Sequence, residues 1–257
     1  MKIHFLLIDA LNLIRRIYAA LPGNDGPGRV DEARHSSVQS LQRALRECRP
    51  THVAAIFDSA ETGWRAIRYP AYKAGRPPMP EALGAMLPKF EQAFRDIGIA
   101  SVQRAAMEAD DIIATLARKV ADRQGRVTIL STDKIFIQLL SNHIAVRDHF
   151  KKRDVTADYV KTRFHVRPDQ FTDLLALAGD STNNIRGVPS IGLKTAAGLL
   201  NQFDTLENIL SSAYVIPGRI GEMLRAHSKE ARNARTLVQL QLDLELGLNL
   251  RSFRYRG

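Results

Sequence analysis

The sequence predicts an α/β fold, with a mostly parallel central sheet flanked by helices and a helical region after it. Three observations predict it. Short apolar runs alternate with amphipathic stretches through the first 150 residues. After about residue 156 the strand texture fades and helical spacing persists. The composition, 45% hydrophobic and 25% charged over 257 residues, suits a globular chain with a sizeable core.

In chain order, Ile3 to Ile8, His52 to Phe57, Arg126 to Leu130 and Ile144 to Val146 are short apolar runs expected as buried strands. Between them lie residues at helical spacing: Leu11, Ile14, Ile17, Tyr18 and Leu21; Val38, Leu41 and Leu45; Ile112, Ile113, Leu116 and Val120. Strand-helix alternation implies a parallel sheet covered on both faces. Residues 22–31 and 71–80, rich in Pro and Gly, read as exposed loops. Helical patterns follow at 168–178, 193–202, 204–211, 219–226 and 229–241. The expected division is a core over 1–155 and a helical region over 156–257.

Lys and Arg number 37 against 27 Asp and Glu, a net charge of +10. Residues 1–165 hold 26 basic and 18 acidic groups, so most of the excess is there. Such a balance suggests a polyanionic partner, most simply nucleic acid. The lone Cys48 excludes an intrachain disulfide and a cysteine-built metal site. No apolar run approaches the ~18 residues of a membrane span. No signal peptide is visible at the N-terminus. A cytoplasmic monomer is the expectation.

In a parallel sheet, ligands bind beyond the C-terminal strand ends. Asp9 and Asp58 close the first two strands, and Asp133 follows Leu130-Ser-Thr. Glu108, Asp110 and Asp111 stand where a helix should begin, with Glu108 and Asp111 on one face. Singly, such acids are often caps or turn residues. Together they repel one another and call for a cation. An all-oxygen set suits Mg²⁺, with Mn²⁺ as a substitute. In a basic protein this suggests phosphodiester hydrolysis.

Two further segments fit a DNA partner. Arg65, Arg68, Lys73 and Arg76 form an acid-free strip interleaved with Trp64, Tyr69 and Tyr72. Its cations suit phosphates and its aromatics suit unpaired bases, although the aromatics could equally anchor a loop to the core. Residues 179–195, with Gly187 and Gly192 ahead of a helix from Leu193, read as a helix-hairpin-helix element. A nucleotide-binding phosphate loop fails there, because Leu193 intrudes before Lys194 and a helix precedes the turn. Backbone amides from Ser190, Ile191, Gly192, Leu193, Lys194 and Thr195 would hold a phosphate.

These blocks together resemble the 5′ nucleases, or flap endonucleases, a family that includes the 5′-nuclease domain of bacterial DNA polymerase I and phage 5′ exonucleases. The likeness runs from about residue 3 to 240. It rests on Leu-Leu-Ile-Asp9, Phe-Asp58, Tyr72-Lys73-Ala-Gly-Arg76-Pro, Glu108-Ala-Asp-Asp111, Ser-Thr-Asp133-Lys and Gly179-Asp180 through Gly187-Val-Pro-Ser-Ile-Gly192-Leu-Lys-Thr. The resemblance implies a metal-dependent nuclease acting on DNA with a 5′ flap, overhang or gap, working with a polymerase only in trans. It implies a first metal site of Asp9, Asp58, Glu108, Asp110 and Asp111, and a second that includes Asp133 and Asp180. It places Lys73 and Arg76 in catalytic positions at the base of an arch over about 60–90. It implies that Arg65 and Tyr72 contact DNA. It makes the hairpin at 177–195 a helix-three-turn-helix, with K⁺ held by the carbonyls of Leu177, Ala178, Arg186, Val188 and Ile191. The chain departs from the pattern where Ile135 and Asn183 replace carboxylates of the second site. A protein that grips flapped DNA but cuts it poorly, and a small ribonuclease, are the competing expectations.

Overall fold

A computed structural model describes residues 2–257. Six strands form one sheet in the order β3-β2-β1-β4-β5-β6. They are β1 (His4–Asp9), β2 (His52–Ile56), β3 (Ala100–Val102), β4 (Arg126–Leu130), β5 (Ile144–Asp148) and β6 (Arg153–Val155). All pairs are parallel except β5 with β6. β3 and β6 are only three residues long, too short to leave a periodic signature, and the sequence does not announce them.

The order reverses between β1 and β4, so the crevice for a ligand opens there. Asp9 ends β1 opposite Ile56, and Ile8 pairs with Leu130 of β4. Successive residues of β1 face opposite sides, as the strand period requires. Leu6 and Ile8 pack under α1 (Ala10–Ala20) and α2 (Pro27–Cys48). Phe5 and Leu7 join a larger cluster on the other face with α6 (Ala109–Ala121). The expected loop at 22–31 is shorter than read, because Pro27 starts α2 at a position where a missing N–H costs nothing.

The segment after β2 holds α3 (Trp64–Arg68), an irregular turn, α4 (Glu81–Ala85) and α5 (Leu87–Asp96). Beyond β6 come α7 (Ala157–Phe164), α8 (Phe171–Ala178), α9 (Leu193–Phe203), α10 (Leu206–Ser211), α11 (Gly218–Ala226) and α12 (Ser228–Val238). The C-terminal segment returns to the sheet, where Phe253 stacks on Phe5 at 5.3 Å. Among the described residues no helix is long and apolar enough to cross a membrane.

Candidate functional site

Four carboxylates lie around the switch point, near enough to feel one another's charge. Asp9 caps α1, accepting from the Asn12 N–H at 3.3 Å and from the Ser131 hydroxyl at 2.8 Å. Asp58 accepts from the Ala109 N–H at 2.9 Å, which seats the start of α6 beside β2. Asp133 caps the turn after β4 through the Ile135 N–H. Asp110 sits in the first turn of α6, and no donor is bonded to it among the described residues.

Their charges are felt mutually. Burial pushes the Asp9 carboxyl up to about 7, opposed by the Ser131 hydroxyl and aided by Asp58 and Asp133. Burial also lifts Asp110 well above the usual carboxylate range, and Asp9 and Asp133 add to the rise. Lys73 offsets part of it. No three groups already converge to grip an ion among the described residues. The fit therefore rests on the chemistry of the set: oxygen donors only, with an unrelieved negative charge that a divalent cation would neutralise.

A stability prediction follows. Folded pKa values above the unfolded value near 4 mean that the native chain binds extra protons between about pH 4 and 7. Stability contributed by these groups is then lost as pH rises through that window. His4, His52 and His149, whose pKa values burial lowers, act in the opposite direction below about pH 6.5, so the contribution of the carboxylates is read against a variant in EDTA. Asp110→Asn should raise the melting temperature at pH 8 in EDTA, because it removes one of the mutually repelling charges. Thermal melts of both proteins across pH check this, and equal melting temperatures at pH 8 would contradict it.

Beside the open carboxylates lies a closed ion pair. Arg65 is 3% exposed and Asp111 1%. The guanidinium meets both Asp111 oxygens at 2.7 and 2.8 Å, Glu108 Oε1 at 2.9 Å, and the carbonyls of Leu237 and Gln239 at 2.7 Å each. Asp111 also accepts from Trp64 Nε1 and the Gln241 N–H, which fills its lone pairs. Asp111, expected as a metal ligand, has its oxygens taken up by these donors, and Arg65, expected to contact DNA, is buried in the pair. The shared helix face of Glu108 and Asp111 meets the guanidinium.

Glu108 lies between the two groups. Its Oε2 accepts from Lys73 Nζ and the Tyr72 hydroxyl, both at 3.0 Å. Burial raises the Glu108 pKa, but Lys73 and Arg65 outweigh it and the net direction is down. Lys73 is likewise held protonated, with burial overcome by Glu108, Asp110 and Asp58. Tyr72 packs against the core with Lys73 over its ring at 4.8 Å. It is half-buried and forms a wall of the site. Trp64 and Tyr69 pack inward too.

The strip is strapped to the glycine hairpin. The Lys73 N–H donates to the Asn183 carbonyl, Arg76 to the Thr182 carbonyl and Asn183 Oδ1, and Asn184 Nδ2 to the Ala71 carbonyl. Asn183 Nδ2 in turn donates to Asp180 at 2.6 Å. Asp180 is buried in this loop, with Lys134 Nζ 3.9 Å away. Ile135 is 6% exposed and packs into the larger core, while its N–H is bonded to Asp133. The strap and Lys134 are features that no residue pattern signalled.

In the hairpin, Gly179 has φ +82° and a Cβ on Gly187 would strike the Gly179 amide and Leu177 carbonyl. Leu177 and Val188 carbonyls each accept one backbone N–H, leaving a lone pair apiece. Ile191 is buried while Gly192, Leu193 and Lys194 are exposed. Gly192 caps α9 without a side chain, so the first amides of the helix are open to an anion.

The chain matches the model of the 5′-3′ exonuclease N-terminal resolvase-like domain over residues 4–165 and of the 5′-3′ exonuclease C-terminal SAM fold over 166–257. It is 41% identical to flap endonuclease Xni of Photobacterium profundum, covering 99% of this chain and 98% of the relative. It is 43% identical to flap endonuclease Xni of Klebsiella pneumoniae, covering 99% of each. Phage T5 5′-exonuclease with bound zinc shares the fold at a TM-score of 0.76 and 22% identity, over 91% of this chain and 89% of that one. The catalytic core of Rad2 with a DNA substrate gives 0.63 at 12% identity, over 99% and 83%.

Proposed function

The chain belongs to the 5′-3′ exonuclease family, and from that premise we propose the reaction and the residues that carry it. It is a structure-specific 5′ nuclease, a hydrolase of DNA phosphodiester bonds. Its proposed substrate is DNA with a 5′ flap, overhang or gap, as the name of its full-length relatives suggests. The observation that carries this reading is the open carboxylate set of Asp9, Asp58, Asp110 and Asp133 at the switch point, with a protonated Lys73 beside it.

Asp9, Asp58 and Asp110 would hold a divalent ion, proposed as Mg²⁺ or Mn²⁺, with Asp133 next to them. When bound, such an ion neutralises charge on the scissile phosphate and activates a water. Glu108 keeps Lys73 charged and aimed at the crevice, where it faces the developing negative charge. Arg76 offers a second cation at the strap. Lys194 and the open amides of α9 take a backbone phosphate of the duplex, and the carbonyls of Leu177, Ala178, Arg186, Val188 and Ile191 are proposed to seat K⁺ there. The protein is proposed to act as a cytoplasmic monomer, with any polymerase coupling in trans.

The test pairs two variants on a 5′-flap DNA. Lys73→Ala should lower the maximal cleavage rate about a hundredfold with little change in affinity. Lys194→Ala should weaken binding and reduce the salt slope of log K by about 0.9, with the saturated rate kept. Equal effects of both variants on both quantities would contradict this division. Binding by wild type without cleavage in Mg²⁺ would favour a flap-binding protein instead.

A further inference from the structure

The turn between β5 and β6 stands one strand beyond β4, and residues at its tip are not used by the site above. Phe150 is 40% exposed there. Arg16 of α1 lies over its ring, with Cζ 5.2 Å from the centroid, and His149 packs edge-on at 6.2 Å. Two depressions meet at this pair. One is a closed crevice bordered by Asn12 and Ser131, which bond Asp9, and by Thr132, which precedes Asp133. The other, about 290 Å³, opens toward α1 and α2 and is lined by Ile17, Ser36, Gln39, Ser40 and Arg43.

His149 supplies an independent sign of a ligand. It is 6% exposed, it lines both depressions, and its Nδ1 is buried without a hydrogen-bond partner among the described residues. A buried polar atom of that kind is costly and calls for a partner. Arg16, Arg43, Lys151 and Lys152 are exposed around it. Of the acids nearby, Asp148 accepts from the Lys151 N–H with Lys151 Nζ 3.9 Å away, and Glu47, whose charge reaches His149, is paired with Arg147 at 2.9 Å. The surface thus combines an aromatic face, a polar recess and unpaired cations, which is the combination that holds a single-stranded nucleotide.

We propose that this depression receives one unstacked nucleotide of the DNA substrate, with its base on Phe150 and a polar edge of that base on His149 Nδ1. Arg43 and Arg16 hold its phosphate. Ser131 and Thr132, which border His149 and Phe150, immediately precede Asp133, so the recess lies beside the carboxylates. The substrate strand would therefore pass from the cleavage site across Phe150. The inference rests on DNA as the substrate, the reading given above.

The experiment uses the full chain in EDTA with 5′-flap DNAs carrying 5-iododeoxyuridine at successive positions around the junction. Irradiation followed by peptide mapping should place a cross-link on Phe150 or His149 from one position. Phe150→Leu, which keeps apolar bulk, should weaken flap-DNA binding roughly tenfold and leave blunt-duplex binding unchanged. Cross-links confined to other segments, or a Phe150→Leu variant that binds flap DNA like wild type, would overturn the inference alone. Absence of DNA binding by the unaltered chain would overturn it together with the functional reading.

Discussion

Asp110→Ala is expected to lower cleavage of a 5′-flap DNA by about a thousandfold or more, equivalent to ~4 kcal/mol of lost transition-state stabilisation. Affinity for the same DNA in EDTA should be unchanged or higher. The reason lies in what Asp110 does and does not touch. It accepts no hydrogen bond among the described residues, while Asp9, Asp58 and Asp133 crowd it and lift its pKa. Its removal relieves repulsion within the fold and repulsion toward phosphate, but takes away the carboxylate least committed to the protein. The check is a single-turnover rate at saturating Mg²⁺ beside an anisotropy titration in EDTA. Wild-type turnover by this variant would remove Asp110 from the site.

The second large effect is on stability. Arg65→Ala should cost about 3–5 kcal/mol, because it strands the buried carboxylates of Asp111 and Glu108 and two carbonyls at the end of α12. Arg65→Lys should recover little of it, since a single ammonium cannot span five acceptors. Denaturant unfolding measures both. If Arg65→Ala melts like wild type and instead weakens DNA binding with a reduced salt slope, Arg65 contacts phosphate and the buried staple is wrong.

That contrast shows where sequence reasoning stops. The strand-end aspartates were legible because a parallel sheet has one functional edge, and a one-dimensional pattern of apolar runs reveals where each strand meets it. Asp110 and Asp111 were not separable that way. They are neighbours on a helix, so they point about 100° apart, and only the packing decides which meets Arg65 and which meets the crevice. Arg65 itself looked like one cation among four. Its acceptors lie in α6 and at residues 237 and 239, too distant along the chain for any local pattern to link. Ile135 reads as a missing carboxylate in the sequence, and in the structure it is a core residue, which a one-dimensional pattern does not distinguish. The strap from Asn183 to Arg76 was equally silent, because it ties two loops across 107 positions of sequence.

Manganese anomalous scattering from crystals of the chain would locate the ion among these side chains. A peak is expected within about 2.2 Å of oxygens from Asp9, Asp58 and Asp110, with Arg65 still bound to both oxygens of Asp111. A peak ligated by Asp111, with the guanidinium displaced, would contradict that placement.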